Sequence, residues 1–276
     1  MVKEETSKKA DKGVFEKLVP IFILASVLMA FAVGILWEKV NNLEGGARST
    51  TATPTVAQAQ QAQQAAKPTI TQDQVKSLFS MDLVKIGDDK RKVLFVEISD
   101  PSCPYCHIAS GKNSELSSQA GDRFKYVSDG GTYVPPVIEM RKLVEQGKAS
   151  YVYIYTPGHG AGEMATKALY CGFEQGKYWE VHDLLYTNKG YELINNTVKN
   201  DKAKAGQLAD FLKSAGVSDL KSCLEGTKYD ERINSDTALA RTLGVGGTPA
   251  FFINETLFSG AYSYKDMESA VTAALK

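Results

Sequence analysis

Two cysteines separated by Pro104 and Tyr105 are the residues of this chain best placed to do chemistry. The sequence Cys103-Pro104-Tyr105-Cys106 follows the apolar run Lys92–Ile98 and precedes a helix-compatible stretch, His107–Gln119. A strand that delivers a Cys-x-x-Cys to a helix start is a redox geometry. The first thiol meets free backbone N–H groups and the positive end of the helix dipole, which stabilise its thiolate and lower its pKa. The second lies one turn on, within reach to close a disulfide. Pro104 suits the first helical position, where its missing N–H is not needed. Pro104 and Tyr105 carry no charge, so they tune the pair without an added cation.

The rival chemistry for such a pair is half of a zinc site. Structural zinc needs two further ligands, usually from a second Cys-x-x-Cys or a His pair, and the sequence supplies neither, so no metal is expected. The remaining cysteines, Cys171 and Cys223, stand 52 positions apart. They can form a structural disulfide, remain two buried thiols, or serve as a second relay, although neither has a strand-to-helix setting. His107 adjoins the dithiol and is a candidate for favouring the Cys103 thiolate electrostatically, against a plain solvated helix position. His159 reads as a loop residue, and His182, in YWEVHDLLY, as a core or capping residue. Glu97 lies inside the apolar strand, six residues before Cys103. Flanked by Val96 and Ile98, it is expected to be desolvated, with a raised pKa suited to proton exchange near neutrality. A water-facing Glu at a strand edge is the alternative.

The chain has 276 residues, with 32 basic and 32 acidic side chains, so it carries no electrostatic footprint for nucleic acid. Near its start, Leu18 to Trp37 runs for twenty residues without a charge, long enough to span about 30 Å of hydrocarbon as a helix. Lys3, Lys8, Lys9, Lys12 and Lys17 precede it, and only Lys39 and Arg48 follow closely. That asymmetry predicts a cytoplasmic tail over 1–17, an uncleaved anchor over 18–37 and everything beyond on the outer face of the membrane. A cleaved signal peptide would have a shorter apolar core and a small-residue cleavage site. Residues 38–68, rich in Ala, Gln, Thr and Gly, read as a flexible tether. Disulfides persist in such a compartment.

The folded part is predicted over 69–276. A short helix is capped at Thr71, and Lys92–Ile98 is a central strand covered on both faces. After the helix His107–Gln119, Arg123–Val127 is a short extended piece, Val137–Gln146 a helix and Ser150–Tyr155 a strand. Helical segments then run at Glu163–Glu174, Tyr178–Tyr186, Lys204–Ser214 and Lys228–Leu243. Ala250–Asn254 and Thr256–Ser259 form a hairpin, and Tyr264–Leu275 a last helix. The order implies an α/β sheet with a helical insertion over about 160–243.

With SDPSCPYCH early and GVGGTPAFFIN roughly 140 residues later, the chain resembles the DsbA-like thiol:disulfide oxidoreductases. Those proteins have a thioredoxin fold with an inserted helical domain. LYCGFEQGKYWEVHDLLY and KSCLEGTKY resemble the insert of that family. The resemblance covers about Ile70 to Lys276. It implies Cys103 as nucleophile, Cys106 as resolving thiol, Glu97 as handler of the deeper thiol's proton, and a cis Thr248-Pro249 whose strand edge docks substrate. An ordinary trans proline starting a strand is the bland alternative.

These readings converge on a membrane-anchored, extracytoplasmic thiol:disulfide oxidoreductase that forms disulfide bonds in exported proteins. Its redox couple is the cysteine pair, with no cofactor. Its implied partners are exported cysteine-containing proteins and a quinone-linked membrane reoxidase of DsbB or vitamin-K-epoxide-reductase type. A monomeric catalytic domain is the default. The alternatives are a reductase or isomerase kept reduced by a membrane electron carrier, and a non-enzymatic metal or thiol chaperone.

Overall fold

A computed structural model of the chain describes residues 70–276. The expected tail, anchor and tether fall outside the described residues. Among those described, no helix is long and apolar enough to cross a membrane.

Five strands form one sheet: β1 (Val84–Ile86), β2 (Val93–Ser99), β3 (Ala149–Tyr155), β4 (Ala250–Ile253) and β5 (Thr256–Ser259). Their spatial order is β1-β3-β2-β4-β5. Only β2 and β3 run parallel; the other three pairings are antiparallel. The near-continuous apolar character of β2 and β3 follows from their central positions, since every residue of both strands is buried.

Side-chain alternation splits each strand between two cores. Leu94, Val96, Ile98, Val152, Ile154 and Phe252 face Val75 and Leu78 on one side, together with Ala240 and Leu243 from the end of the insert. The opposite face carries Phe95, Tyr151, Tyr153, Tyr155 and Phe251. It packs on both dithiol sulfurs and on most of the insert. Glu97 and Ser99 share the phase of Phe95, so the strand period alone puts them on the face toward the cysteines.

In chain order the helices are α1 (Gln72–Ser77), α2 (Pro104–Ser110), α3 (Ser114–Gln119), α4 (Pro136–Glu145), α5 (Glu163–Glu174), α6 (Tyr178–Leu185), α7 (Asn188–Glu192), α8 (Ala205–Phe211), α9 (Leu220–Glu225), α10 (Asp230–Thr242) and α11 (Tyr264–Leu275). Helices α5 to α10 are the insertion between β3 and β4. Thr71 caps α1 with a reciprocal capping box to Gln74.

Three local expectations are corrected. The single helix over His107–Gln119 is two, because Gly111 sits at φ 76° and ends α2, and Asn113 caps α3 through Leu116 N–H at 3.0 Å. A Cβ on Gly111 would stand 2.5 Å from Ile138 Cδ1 and 2.7 Å from Pro135 Cβ. Of Arg123–Val127 only Lys125 and Tyr126 are extended, Tyr126 in an isolated bridge to Tyr133; two 3₁₀ turns, Asp122–Phe124 and Val127–Asp129, flank them, and the Tyr126 hydroxyl donates to the Ile108 carbonyl of α2 at 3.0 Å. Strand β1 was not anticipated, since three residues with a central lysine carry no readable alternation.

Candidate redox site

Cys103 occupies the N-cap of α2, with extended backbone at φ −80° and ψ 123°. Its N–H donates to the Asp100 carbonyl at 2.9 Å, and its own carbonyl accepts from Cys106 N–H at 3.1 Å. The turn thereby fixes the sulfur over the helix start. Pro104 takes the first helical position, as its geometry dictates. Tyr105 projects outward, 44% exposed, its ring 5.3 Å from that of Phe124.

Both thiols are free, and both are buried, Cys103 at 3% exposure and Cys106 at 0%. The two have opposite electrostatics. The Cys103 pKa falls below the ordinary thiol value to about 6. The leading cause is the Cys106 S–H donating to it; the Thr248 hydroxyl and the N–H groups of Cys106 and Tyr105 help, and burial opposes. Burial first, and then the same hydrogen bond, push Cys106 well above the ordinary value. One proton is therefore shared unequally: Cys103 is the more readily ionised sulfur of the pair and Cys106 keeps its hydrogen.

Thr248 reaches this site from the far end of the chain. Its carbonyl accepts from Cys103 Sγ at 3.5 Å. The Thr248–Pro249 bond is cis, and Pro249 leads directly into β4. Thr248 and Pro249, expected from the sequence to dock substrate, are thus beside Cys103.

Glu97 is fully buried, which excludes the water-facing alternative. Burial raises its pKa, against the lowering influence of His182, Tyr151 and Ser99. Tyr151 donates to its Oε2 at 2.8 Å, and the Tyr178 hydroxyl lies 2.8 Å from that of Tyr151. The Oε1 atom has no partner. Ser99, two residues along the same strand face, acts on both Glu97 and Cys106 and pairs with Tyr186 at 3.1 Å. A polar seam thus crosses the core from Cys106 through Ser99 to Glu97.

His107 requires a correction. It is neither solvated nor cationic. Position four of α2 points into the insert, where the ring is fully buried against Tyr186 and Tyr191. Its Nε2 lies 2.8 Å from the Pro101 carbonyl and Nδ1 3.0 Å from that of Tyr186. Burial lowers its pKa to about 4, outweighing these two acceptors. The neutral ring gives Cys103 no charge. His159 is an exposed loop residue, and His182 a core residue whose Nδ1 lies 3.2 Å from Asp183.

Cys171 of α5 and Cys223 of α9 are joined as a disulfide, with Cα atoms 6.6 Å apart. This ties two helices of the insert together and leaves neither cysteine free as a second relay. No cluster of His, Cys, Asp or Glu among the described residues is arranged to hold a metal. The sequence reading missed Ser99 and Tyr151. For Ser99 the strand phase shared with Glu97 was the available signal; Tyr151 is brought in by the register of β3 on β2. The sequence reading missed Asp100 as well, whose only local signal is the Asp-Pro-Ser turn that it closes on Ser102.

A family model described as Thioredoxin matches residues 139–273. The match takes in β3, the insert and the terminal hairpin, and begins after the dithiol. Among solved structures, Wolbachia pipientis alpha-DsbA1 is 19% identical, covering 70% of this chain and 91% of its own, with a TM-score of 0.52. The catalytic domain of Proteus mirabilis ScsC is 20% identical, covering 75% and 99%, with a TM-score of 0.50. These likenesses show the fold. Of the curated proteins, a Na(+)/H(+) antiporter NhaA 3 of Salinispora tropica is 28% identical over 196 residues, 68% of this chain and 24% of its own length. The chain spans about a quarter of that relative.

Proposed function

We propose that this DsbA-like thioredoxin-fold chain is a thiol:disulfide oxidoreductase that oxidises cysteine pairs in exported proteins. One observation carries the reading: a nucleophilic sulfur with a depressed pKa, backed by a deeper thiol that retains its proton and faced by the Thr248 carbonyl. A substrate thiolate attacks Cys103 Sγ of the disulfide form. The Cys103–Cys106 bond breaks, and Cys106 leaves as a thiolate that takes up one proton. The second substrate thiolate then attacks the substrate sulfur of the mixed disulfide and expels Cys103 as a thiolate. The substrate loses two electrons and the chain gains them. The low pKa of Cys103 makes it a good leaving group and favours this direction.

Glu97 is the proton donor to the departing Cys106 and its acceptor on reoxidation, with Ser99 between them. Its raised pKa and its place on the same sheet face support that role. Thr248 and Pro249 offer the backbone edge for a substrate peptide. The charge asymmetry about Leu18–Trp37 supports an anchored domain on the outer side of the cell membrane. A quinone-linked reoxidase of DsbB or vitamin-K-epoxide-reductase type is the partner that such a cycle needs.

Equilibration of the pair against glutathione tests the direction of flow. With uncharged Pro104 and Tyr105 between the cysteines, the potential should lie below about −120 mV, the value of DsbA. A more oxidising value contradicts this account of the tuning.

A further inference from the structure

Cys103 meets Thr248 on one side and a loop on another. That loop, Pro157 to Gly162, connects β3 to α5. A Cβ on Gly158 would collide with Thr248 Oγ1 and stand 3.4 Å from Cys103 Cβ. Residues 157–160 are exposed, so the loop is a solvent-facing rim beside a cysteine that is itself only 3% exposed.

The rim is tied down from beneath. Asp100 is fully buried, and its Oδ2 accepts the N–H groups of Gly158 at 2.7 Å and His159 at 2.9 Å. Its Oδ1 accepts the Ser102 N–H at 2.7 Å and hydroxyl at 2.8 Å. Ala161 N–H reaches Ser102 Oγ at 3.3 Å, and Asn200 donates to the Gly160 carbonyl at 3.0 Å. Gly162 leaves room for the carboxylate, since a Cβ there would run into Asp100 Oδ1. One carboxylate therefore couples the turn that carries Cys103 to the rim beside it. Charge-assisted bonds of this kind are the stronger class.

We propose that the Pro157–Ala161 loop, packed against Thr248, is a second wall of the substrate-docking surface, and that Asp100 is the positioning residue that sets it for extended peptides flanking the attacking cysteine. A wall of this sort affects a peptide and not a small dithiol, because only the peptide has residues on either side of its thiol. The proposal rests on the oxidoreductase reading above.

The test compares how fast the disulfide form of the full-length chain is reduced by a reduced cysteine-containing peptide and by dithiothreitol. Gly158→Ala adds the colliding Cβ. Asp100→Asn turns two acceptor contacts into a clash of donors. In both, the ratio of peptide rate to dithiothreitol rate should fall by about tenfold or more, as small misplacements near a reacting centre do. A ratio within about twofold of the parent in Gly158→Ala overturns the proposal, and that variant decides the matter even if Asp100→Asn fails to fold. A parent chain that reacts with neither reductant instead sinks the oxidoreductase reading itself.

Discussion

The Sγ of Cys103 donates to the carbonyl of Thr248 at 3.5 Å, a contact between residues 145 positions apart. It brings the one low-pKa thiol against the backbone leading into β4. The contact sits where β2 and β4 pair, Ile98 opposite Ala250, so the sheet register fixes it. The depressed pKa itself has a nearer cause, the thiol of Cys106. In Cys106→Ala that donor is gone. The Cys103 midpoint, followed by thiolate absorbance or by the pH dependence of alkylation, should rise from about 6 toward the ordinary thiol value. An unmoved midpoint would show that the helix start and Thr248 suffice.

His107 is the control for electrostatics. With a pKa lowered to about 4 by burial, it is neutral wherever Cys103 titrates. His107→Phe should leave the Cys103 midpoint near 6, since no charge is removed. It should destabilise the fold by about 1–3 kcal/mol, because a buried carbonyl, of Pro101 or of Tyr186, loses its donor. A shift of the midpoint would restore His107 as a tuning residue.

Why the dithiol, Pro249 and Glu97 could be read from the sequence, and His107 and Asp100 could not, follows from the range of their contacts. The strand-to-helix placement of Cys103 and the two-residue period through Glu97 are local patterns. The terminal hairpin and α11 carry strong local patterns as well, and fall where the sequence puts them. The surroundings of His107 come from Pro101 and Tyr186, and the second partner is 79 positions away. Asp100 closes a local turn on Ser102, but the two partners that tie the rim lie 58 and 59 positions downstream. No local period encodes such contacts. Strand β1 was hidden for a different reason: three residues beside Gly87 are too few to show an alternation.

Glu97 gives a stability signature as well as a kinetic one. Its folded pKa is raised, so between the ordinary carboxyl value and the raised value the native state binds more protons than the unfolded state. Stability therefore falls as pH rises through that window. Glu97→Gln lacks the ionisation, so in urea titrations it should gain on the parent as pH rises. It should also slow reoxidation of the dithiol, since Cys106 then loses its proton acceptor. Parallel stability profiles, or an unchanged reoxidation rate, would remove Glu97 from the proton route.

The insert disulfide should be structural. Cys171 and Cys223 close a loop of sequence separation 52. Replacing both with serine should lower unfolding free energy by roughly 4 kcal/mol on the chain-entropy model. Thiol exchange by the folded protein should persist, because it runs through Cys103 and Cys106 while the bridge only joins α5 to α9. Loss of exchange in a variant that remains folded would mean the bridge takes part in the electron path.

The most direct test of the central claim mixes the full-length chain, with Cys103–Cys106 oxidised, with a reduced protein containing two cysteines, and counts thiols on each. The account predicts that two substrate thiols disappear for each two that appear on the chain. It also predicts that reduced Cys106→Ser, offered a disulfide-bonded substrate, is held as a mixed disulfide at Cys103 with one substrate thiol released, because no second chain thiol is left to expel the substrate. If the substrate keeps its thiols while the chain keeps its disulfide, the chain is not a protein thiol oxidase.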